Sequence, residues 1–375
     1  MSHFLPIADA PPVSDLRASA EDWRWQLQHA ITTAEGLDRA LNLSPREREG
    51  AQRAEQSGFP ISVSPYYLSL IDKDDPNCPI RRQVVPLADE AHEGRGDLRD
   101  PLGEVAHEVA PELVQRYPDR ALLLVNDRCS VYCRFCTRSR MVGAGGGARS
   151  LAQLEAAFRY LEEHSEIRDV IVSGGDPLVM ATAKLERILA RLRCIPHVET
   201  IRLATRVPVT LPHRITDELV MALRAHHPIW VMTHFNHPKE LSPLARAACR
   251  RLVDAGFPVM NQTVLLKGVN ADVLTLETLF RALVRERVRP YYLLQMDPVR
   301  GTSHLRTPLA LGRDLIGQLQ GRLSGIALPK FIVDTPGGFG KVPAGPNFVV
   351  AEGPGFTRFR THRGVEVDYV DPETP

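Results

Sequence analysis

The stretch 121–136, ALLLVNDRCSVYCRFC, joins an apolar run to three closely spaced cysteines. The run 121–125 is typical of a buried strand, and Cys129, Cys133 and Cys136 follow it with the spacing C-x3-C-x2-C. Three thiolates this close can hold three irons of a four-iron cluster and leave one iron open, whereas structural clusters and structural zinc sites have four protein ligands. A zinc-binding loop and three buried thiols are the alternative interpretations.

The composition excludes several classes of protein. The length of 375 residues suits one barrel-sized core with extensions. With 46 basic and 45 acidic residues, the formal charge is +1, so we expect no partner that is a nucleic acid or a membrane. No apolar run approaches a bilayer-spanning length, and the beginning MSHFLPIADAPP lacks the pattern of a secretion signal. Six cysteines do not suggest a disulfide scaffold, so a reducing, cytoplasmic location is expected.

Short aliphatic runs alternate with segments of helical period from Ala121 onward. The predicted strands are 121–126, 169–173, 199–204, 229–234, 258–265 and 289–295. The predicted helices are 150–164, 181–193, 216–226, 242–255, 272–286 and 309–320. This alternation predicts parallel strands with crossover helices, an α/β fold in which six units form a partial (β/α)6 barrel. Helices are predicted in 1–70, an irregular connection in 71–119, and short strands at 329–334, 347–351, 356–361 and 365–369.

Polar motifs stand at or near the carboxyl ends of the predicted strands, where ligands bind in sheets of this kind. They are the cysteine loop, Ser173-Gly174-Gly175-Asp176, Arg206, His234, Gln262 and Asp297. Two successive glycines let the backbone approach a ligand closely, although a tight strand-to-helix turn also explains them.

Two further motifs contain cations. Pro336-Gly-Gly-Phe-Gly-Lys341 is not a Walker loop, because Val342 stands where that motif has Ser or Thr. A desolvated lysine can form a Schiff base with pyridoxal phosphate (PLP), whereas a solvated lysine on a surface turn is the alternative. Arg116-Tyr117-Pro-Asp-Arg120 suits a phosphate beside an aromatic ring, or a solvated charged turn.

The stretch from about residue 75 to 347 resembles the lysine 2,3-aminomutase family. The resemblance is carried by runs such as DPNCPIRRQ, RYPDR, CSVYCRFCTRSR, SGGDPL, DAGFPVMNQTVLLKGVN, RVRPYYLLQMD and FIVDTPGGFGK. It implies a radical S-adenosylmethionine (SAM) enzyme that depends on PLP and moves an amino group from C2 to C3 of an amino acid. The expected substrate is L-lysine, the expected cofactors are a [4Fe-4S] cluster, SAM and PLP, and the expected electron donor is of the flavodoxin or ferredoxin type.

The resemblance also implies a role for individual residues. The cluster ligands it implies are Cys129, Cys133 and Cys136. The residues on the SAM side are Gly174, Gly175, Asp176, Arg206, His234 and Gln262. The residues of the PLP site are Arg116, Tyr117, Arg120 and the catalytic Lys341, which binds PLP covalently. The residues that hold the substrate are Arg138, at its carboxylate, and Asp297 and Asp334, at its distal ammonium.

The sequence patterns and the resemblance together predict three domains. They are an N-terminal helical or irregular extension at 1–119 that contributes to the PLP site, the radical SAM barrel at 120–320, and a C-terminal segment at 321–375 that carries the PLP lysine. Clostridial members of the family have a cysteine-rich tail that binds zinc, but no cysteine follows Cys249 here, so no structural zinc is expected and a homo-oligomer is left open. The alternatives are the branch associated with elongation factor P, an arginine 2,3-aminomutase, and a non-catalytic iron-sulfur or zinc scaffold.

Overall fold

The computed structural model describes residues 21–56 and 58–372, and one ten-stranded sheet forms its centre. The strands are β1 (Glu108–Ala110), β2 (Leu113–Tyr117), β3 (Arg120–Asn126), β4 (Asp169–Gly174), β5 (Thr200–Ala204), β6 (Ile229–Thr233), β7 (Val259–Leu265), β8 (Arg289–Gln295), β9 (Lys330–Thr335) and β10 (Gly340–Pro343). They lie side by side in chain order. Strands β3 to β9 are parallel, while β1, β2 and β10 join the two sides in antiparallel pairs.

Helices connect the parallel strands, as the alternating pattern predicts. They are α5 (Leu151–Glu163), α6 (Thr182–Arg193), α7 (Val207–Thr210), α8 (Asp217–Arg224), α9 (Pro243–Asp254), α10 (Val273–Arg285) and α11 (Leu309–Leu319). Among the described residues, the α-helices that precede the sheet are α1 (Trp23–Gln28), α2 (Ala34–Ala40), α3 (Pro45–Gln56) and α4 (Pro65–Leu68). In the described part of the chain, no helix combines the length and the apolar character that a membrane span requires.

The helix α10 illustrates why these segments fold as they do. Its buried residues, Leu276, Leu279, Phe280 and Leu283, recur at the spacing of one helical face. The side chain of Asp272 accepts a hydrogen bond from the N–H of Thr275 at 2.8 Å, which caps the first turn. The apolar face then packs on the sheet, and most of its stability comes from that burial rather than from helix propensity.

The fold-class prediction of a partial (β/α)6 barrel is confirmed, since six strand-helix units run from β3 to α11. The structure adds β9 as a further parallel strand and β10 beside it. It also places β1 and β2 within 71–119, where the sequence predicted an irregular connection. A separate antiparallel sheet follows, made of β11 (Val349–Gly353), β12 (Phe356–Arg360) and β13 (Glu366–Val370).

The two faces of the parallel sheet have different surroundings. Successive residues of a strand point to opposite faces. Val170 and Val172 of β4 are fully buried in the main hydrophobic core. Their neighbours Ile171 and Ser173 line a cavity on the other face. Polar side chains can therefore occupy every second position of these strands without disturbing the core.

Candidate active site

The cavity measures about 580 Å³ and brings together every site residue predicted from the sequence. Those residues are Arg116, Tyr117, Arg120, Cys129, Cys133, Cys136, Arg138, Gly174, Gly175, Asp176, Arg206, His234, Gln262, Asp297, Asp334 and Lys341. The volume lies within the range of small-molecule sites. The carboxyl ends of parallel strands meet at one edge of the sheet, which explains why residues so far apart in sequence converge.

The cysteine loop begins where β3 ends, and the glycine turn after β4 fixes its first residues. A side chain at Gly174 would collide with the carbonyl oxygen of Asn126, and one at Gly175 with that of Arg128. Gly174 also has a φ of +125°, which favours glycine. The side-chain N–H of Asn126 donates to the carbonyl oxygens of Arg128, at 2.8 Å, and Asp176, at 2.9 Å. The two glycines therefore position the cysteine loop.

The N-terminal extension holds the same loop from the other side. Arg134, which stands between two of the cysteines, is buried. Its guanidinium donates to the carbonyl oxygens of Phe59 and Pro60, both at 3.0 Å, and forms an ion pair with Glu90. A buried guanidinium needs such partners, because leaving it unpaired would be costly.

Two of the predicted cluster ligands are thiols whose ionisation the protein disfavours. Burial raises the pKa of Cys129 well above its usual value, and the nearby Asp176 and Cys136 raise it further. Burial and Cys133 raise the pKa of Cys136 to about 12. Such thiols stay protonated unless a positive group stabilises their thiolates, and the irons of a cluster supply that charge. Within 21–56 and 58–372, no group of three or more His, Cys, Asp or Glu side chains is arranged as the ligand set of a metal ion.

Asp176 is tied to the strand next to it. It is buried, and its carboxylate accepts hydrogen bonds from the hydroxyl of Thr205, at 2.7 Å, and from the N–H groups of Arg206, at 2.7 Å, and Leu178, at 3.0 Å. Burial raises the pKa of Asp176, although these hydrogen bonds oppose the rise. Both carboxylate oxygens are thus engaged, and Asp176 joins the ends of β4 and β5.

His234 presents a hydrogen-bond acceptor. Burial, with Arg206 nearby, lowers its pKa to about 3, so its ring is neutral at physiological pH. Its Nε2 donates to the Oδ1 of Asn236 at 3.0 Å, and the same oxygen accepts from the N–H of Val264 at 2.9 Å. Nδ1 is therefore the unprotonated nitrogen, which suits a ligand hydroxyl. Gln262 lines the cavity nearby on β7.

Arg138 is held by a carboxylate that sequence reasoning missed. Its Nε and Nη2 donate to Oε1 of Glu104 at 2.9 and 2.8 Å, and its Nη1 donates to the hydroxyl of Ser173 at 3.2 Å. Glu104 also accepts from Arg140 at 2.9 Å. Burial opposes ionisation of Glu104, but Arg138 and Arg140 lower its pKa overall. One edge of the Arg138 fork is thereby fixed, and among the described residues no carboxylate bridges the edge formed by Nη1 and Nη2.

The other end of the cavity contains Lys341. It faces Asp334 across β9 and β10, and its amine forms an ion pair with that carboxylate. Its backbone N–H donates to the hydroxyl of Tyr117 at 2.7 Å. The guanidinium of Arg120 lies 3.6 Å from the centre of the Tyr117 ring. The Lys341 side chain is 30% exposed, so it is less desolvated than a crowded site would make it.

The side chains at this end of the cavity are of the types that hold PLP. A primary amine can form the covalent bond, and two arginines beside a tyrosine suit a phosphate and an aromatic ring. Arg116 already has partners in the protein, because its Nη1 donates to the carbonyl oxygen of Leu102 at 3.1 Å and to the carboxylate of Asp334 at 3.3 Å. Arg120 has an ion pair with Asp119 at 2.8 Å, on a partly solvated side chain.

The two predicted ammonium-binding carboxylates differ. Asp334 is buried and paired with both Lys341 and Arg116. Asp297 lines the same cavity, and among the described residues no hydrogen bond or ion pair reaches its carboxylate. Burial, together with Asp334, raises the pKa of Asp297 to about 7. Among the described residues, Asp297 is thus the carboxylate of the two that has no ion pair.

Several residues of this site carried no signal in the sequence. Glu104 and Glu240 are charged residues in runs without a recognisable motif, whereas Arg134 stands inside the cysteine motif but has no role in it that the spacing predicts. The pairing of all three appears only in the folded chain. Tyr291 and Tyr292 also line the cavity, with rings stacked at 3.7 Å and hydroxyls 2.7 Å apart. Their place on β8 was predictable, but their contact with a ligand site was not.

Known proteins resemble this chain along most of its length. The model of the radical SAM superfamily matches residues 123–279, and that of lysine-2,3-aminomutase matches 316–375. The L-lysine 2,3-aminomutase of Fusobacterium nucleatum is 46% identical over 352 residues, covering 94% of this chain and 83% of that protein. The enzyme of that name from Clostridium subterminale is 45% identical over 360 residues, covering 96% and 86%. The glutamate 2,3-aminomutase of Clostridioides difficile is 40% identical over 362 residues, covering 96% and 85%.

Proposed function

Because this chain belongs to the lysine 2,3-aminomutase family of radical SAM isomerases, we propose that it converts L-lysine to β-lysine with PLP as a further cofactor. The family implies a [4Fe-4S] cluster and SAM. The observation that carries the choice of lysine is the Asp297 carboxylate, which lines the cavity with no ion pair among the described residues, while Asp334 lies close enough to raise its pKa.

Each part of the cavity has a proposed task. Bound cluster and SAM supply a radical that removes a hydrogen atom, and bound PLP supplies a ring that stabilises an unpaired electron. The three cysteines hold the cluster, while the glycine turn, Arg206, His234 and Gln262 surround SAM. Lys341 anchors PLP, with Arg116, Tyr117 and Arg120 around it. A protein of the flavodoxin or ferredoxin type delivers the electron.

The substrate is held at both ends. The edge of the Arg138 fork formed by Nη1 and Nη2, which no carboxylate of the described residues bridges, suits the substrate carboxylate in two-point contact. Asp297 and Asp334 suit the distal ammonium, because burial of a cation is costly without opposite charge. Asp297, which has no hydrogen bond or ion pair among the described residues, would receive that ammonium first, because Asp334 is already paired with Arg116 and Lys341. Enclosure of the cavity by the barrel keeps water away from the reacting atoms.

Charge favours lysine over glutamate. The side-chain carboxylate of glutamate would face Asp297 and Asp334, and like charges repel strongly in a site of low dielectric. Arginine carries the right charge and therefore belongs in the test.

Anaerobically reconstituted and reduced enzyme is incubated with lysine, arginine or glutamate, and the products are separated by chromatography. We expect β-lysine from lysine and no β-glutamate; turnover of glutamate alone would contradict the proposal.

Glu104 provides a first prediction for substrate binding. Glu104→Gln removes the charge that fixes the Arg138 fork, so we expect lysine to bind about tenfold more weakly, in line with about 1.5 kcal/mol for a hydrogen bond to a charged group. Binding is followed by the absorbance change of PLP when lysine is added. Glu112→Gln is the matched control, because Glu112 pairs with Arg149 outside the cavity. Tighter binding in Glu104→Gln would mean that Glu104 competes with the substrate for Arg138.

A further inference from the structure

Arg206 lies in an enclosed polar cluster beside the cysteine loop. It follows β5, and its guanidinium is buried. Nη1 lies 2.6 Å from the Sγ of Cys133. Nη2 is directed at a second set of acceptors, formed by the carboxylate of Glu240 at 2.7 Å, the side-chain oxygen of Gln83 at 2.5 Å and the hydroxyl of Tyr67 at 3.1 Å.

The acceptors around Nη2 are themselves fixed. Glu240 is fully buried, and its second oxygen accepts from the N–H groups of Asn236, at 2.6 Å, and His237, at 3.0 Å. The hydroxyl of Tyr67 donates to Glu240 at 2.7 Å. Gln83 also accepts from the side chain of Asn236 at 3.0 Å. Nε of Arg206 also donates to the carbonyl oxygen of His234 at 3.3 Å. The guanidinium therefore has several partners on the protein side and one thiol on the cavity side.

This geometry gives Arg206 a task beyond proximity to SAM. Nη2 is used by Glu240, Gln83 and Tyr67, and Nε by the carbonyl oxygen of His234, so the edge of the fork that these two nitrogens form cannot bind a ligand carboxylate. The remaining direction points at a predicted cluster ligand. Hydrogen bonds to cluster sulfurs and nearby charges are among the factors that set the reduction potential of a cluster. A reduced cluster carries one more negative charge, so a cation bonded to its thiolate stabilises the reduced form.

We propose that Arg206 is a positioning residue that donates a hydrogen bond to the Cys133 thiolate and raises the reduction potential of the cluster. Glu240, Tyr67 and Gln83 hold the guanidinium in the required orientation. The inference rests on the cluster that the family implies, and not on PLP or on lysine as the substrate. Its failure is therefore distinguishable from failure of the proposed function.

The test is a redox titration of the reconstituted holoenzyme, followed by the paramagnetic signal of the reduced cluster without amino acid. Arg206→Gln should shift the equilibrium about tenfold toward the oxidised cluster, which for one electron corresponds to a potential lower by about 59 mV. Arg206→Lys, which keeps the charge but loses the fork, should shift it less in the same direction. An unchanged potential in Arg206→Gln, with full iron and sulfide content, would overturn the proposal.

Arg214→Lys is the matched control. Arg214 is a buried arginine whose partners are the carbonyl oxygens of Leu178, at 2.8 Å, and Met180, at 3.0 Å, and not a cysteine. Arg214→Lys should leave the reduction potential of the cluster unchanged. An equal shift in Arg214→Lys would mean that the shift in the Arg206 variants comes from a general loosening of the fold, and the proposal would fail.

A second measurement does not depend on whether the variants assemble a cluster. In the unaltered holoenzyme without SAM, arginine labelled with heavy nitrogen should give a hyperfine coupling to the reduced cluster, together with an exchangeable proton. Loss of that nitrogen coupling in Arg206→Lys would assign it. If the labelled wild type shows no arginine coupling, the proposed hydrogen bond is absent and the inference fails.

Discussion

Lys341→Ala is expected to abolish covalent PLP binding and to lower turnover on the order of 10⁴-fold or more, the scale on which enzymes lose activity without a covalent catalytic group. The substitution should not unfold the chain, because Asp334 keeps Arg116 as its partner at 3.3 Å. The measurement is borohydride reduction followed by peptide mapping, which should find a pyridoxyl group on Lys341 in the wild type and none in the variant.

Lys330→Ala serves as the control for this experiment. Lys330 lies at the beginning of β9, in the same sheet as Lys341, but it is exposed and does not line the cavity. It should retain the trapped pyridoxyl group and full turnover. A pyridoxyl-lysine that persists in Lys341→Ala would assign the PLP lysine elsewhere and would remove the basis for the proposed arrangement of the cavity.

The barrel was predictable because its sequence signals are local. The predicted strand 289–295 matches β8, and the predicted helix 272–286 differs from α10 by one residue at each end. Aliphatic runs of strand length, and helical spacing between capping residues, determine these elements without knowledge of their neighbours. By contrast, β2 mixes apolar with charged residues and β10 contains glycine and proline, so their pairing partners define them as strands.

The site was predictable in part for a different reason. The rule that parallel strands end at one edge placed Arg206, His234 and Asp297 together, and the resemblance to a family supplied their roles. Neither source predicts which charges pair in the folded chain. The contact of Glu104 with Arg138 spans 34 residues, and it depends on how the segment before β1 crosses the mouth of the barrel. The pairing of Asp334 with Lys341 depends on the register of β9 and β10.

Asp297→Asn is expected to weaken lysine binding by about 2–5 kcal/mol, the usual cost of truncating one partner of an enclosed charge pair. The pH dependence of lysine binding distinguishes the wild type from this variant more sharply. The pKa of Asp297 is raised to about 7 from 3.8, so in the free wild type this carboxylate ionises only as the pH rises through 7. Lysine should therefore bind wild-type enzyme more tightly above pH 7 than below it, and the variant should lack this step.

Asp297→Asn should weaken lysine binding but should stabilise the fold of the substrate-free enzyme. When folding raises the pKa of a group, its contribution to the stability of the native state is full at any pH below its pKa in the unfolded chain. That contribution is lost as the pH rises through its pKa in the folded chain. Above pH 7 the wild type has a charged, enclosed Asp297 that the variant lacks. Without substrate, Asp297→Asn should therefore melt higher than the wild type by about 2 °C or more above that pH, and the difference should shrink below it.

Asp334→Asn separates the two carboxylates. Asp334 has Lys341 and Arg116 as partners, so its neutralisation leaves two cations facing each other and should lower the melting temperature instead of raising it. Both variants should lose lysine turnover, because each removes a charge proposed to hold the distal ammonium. If Asp334→Asn retained wild-type turnover, or if Asp297→Asn kept the step in affinity near pH 7, the cation would have to be selected by other residues.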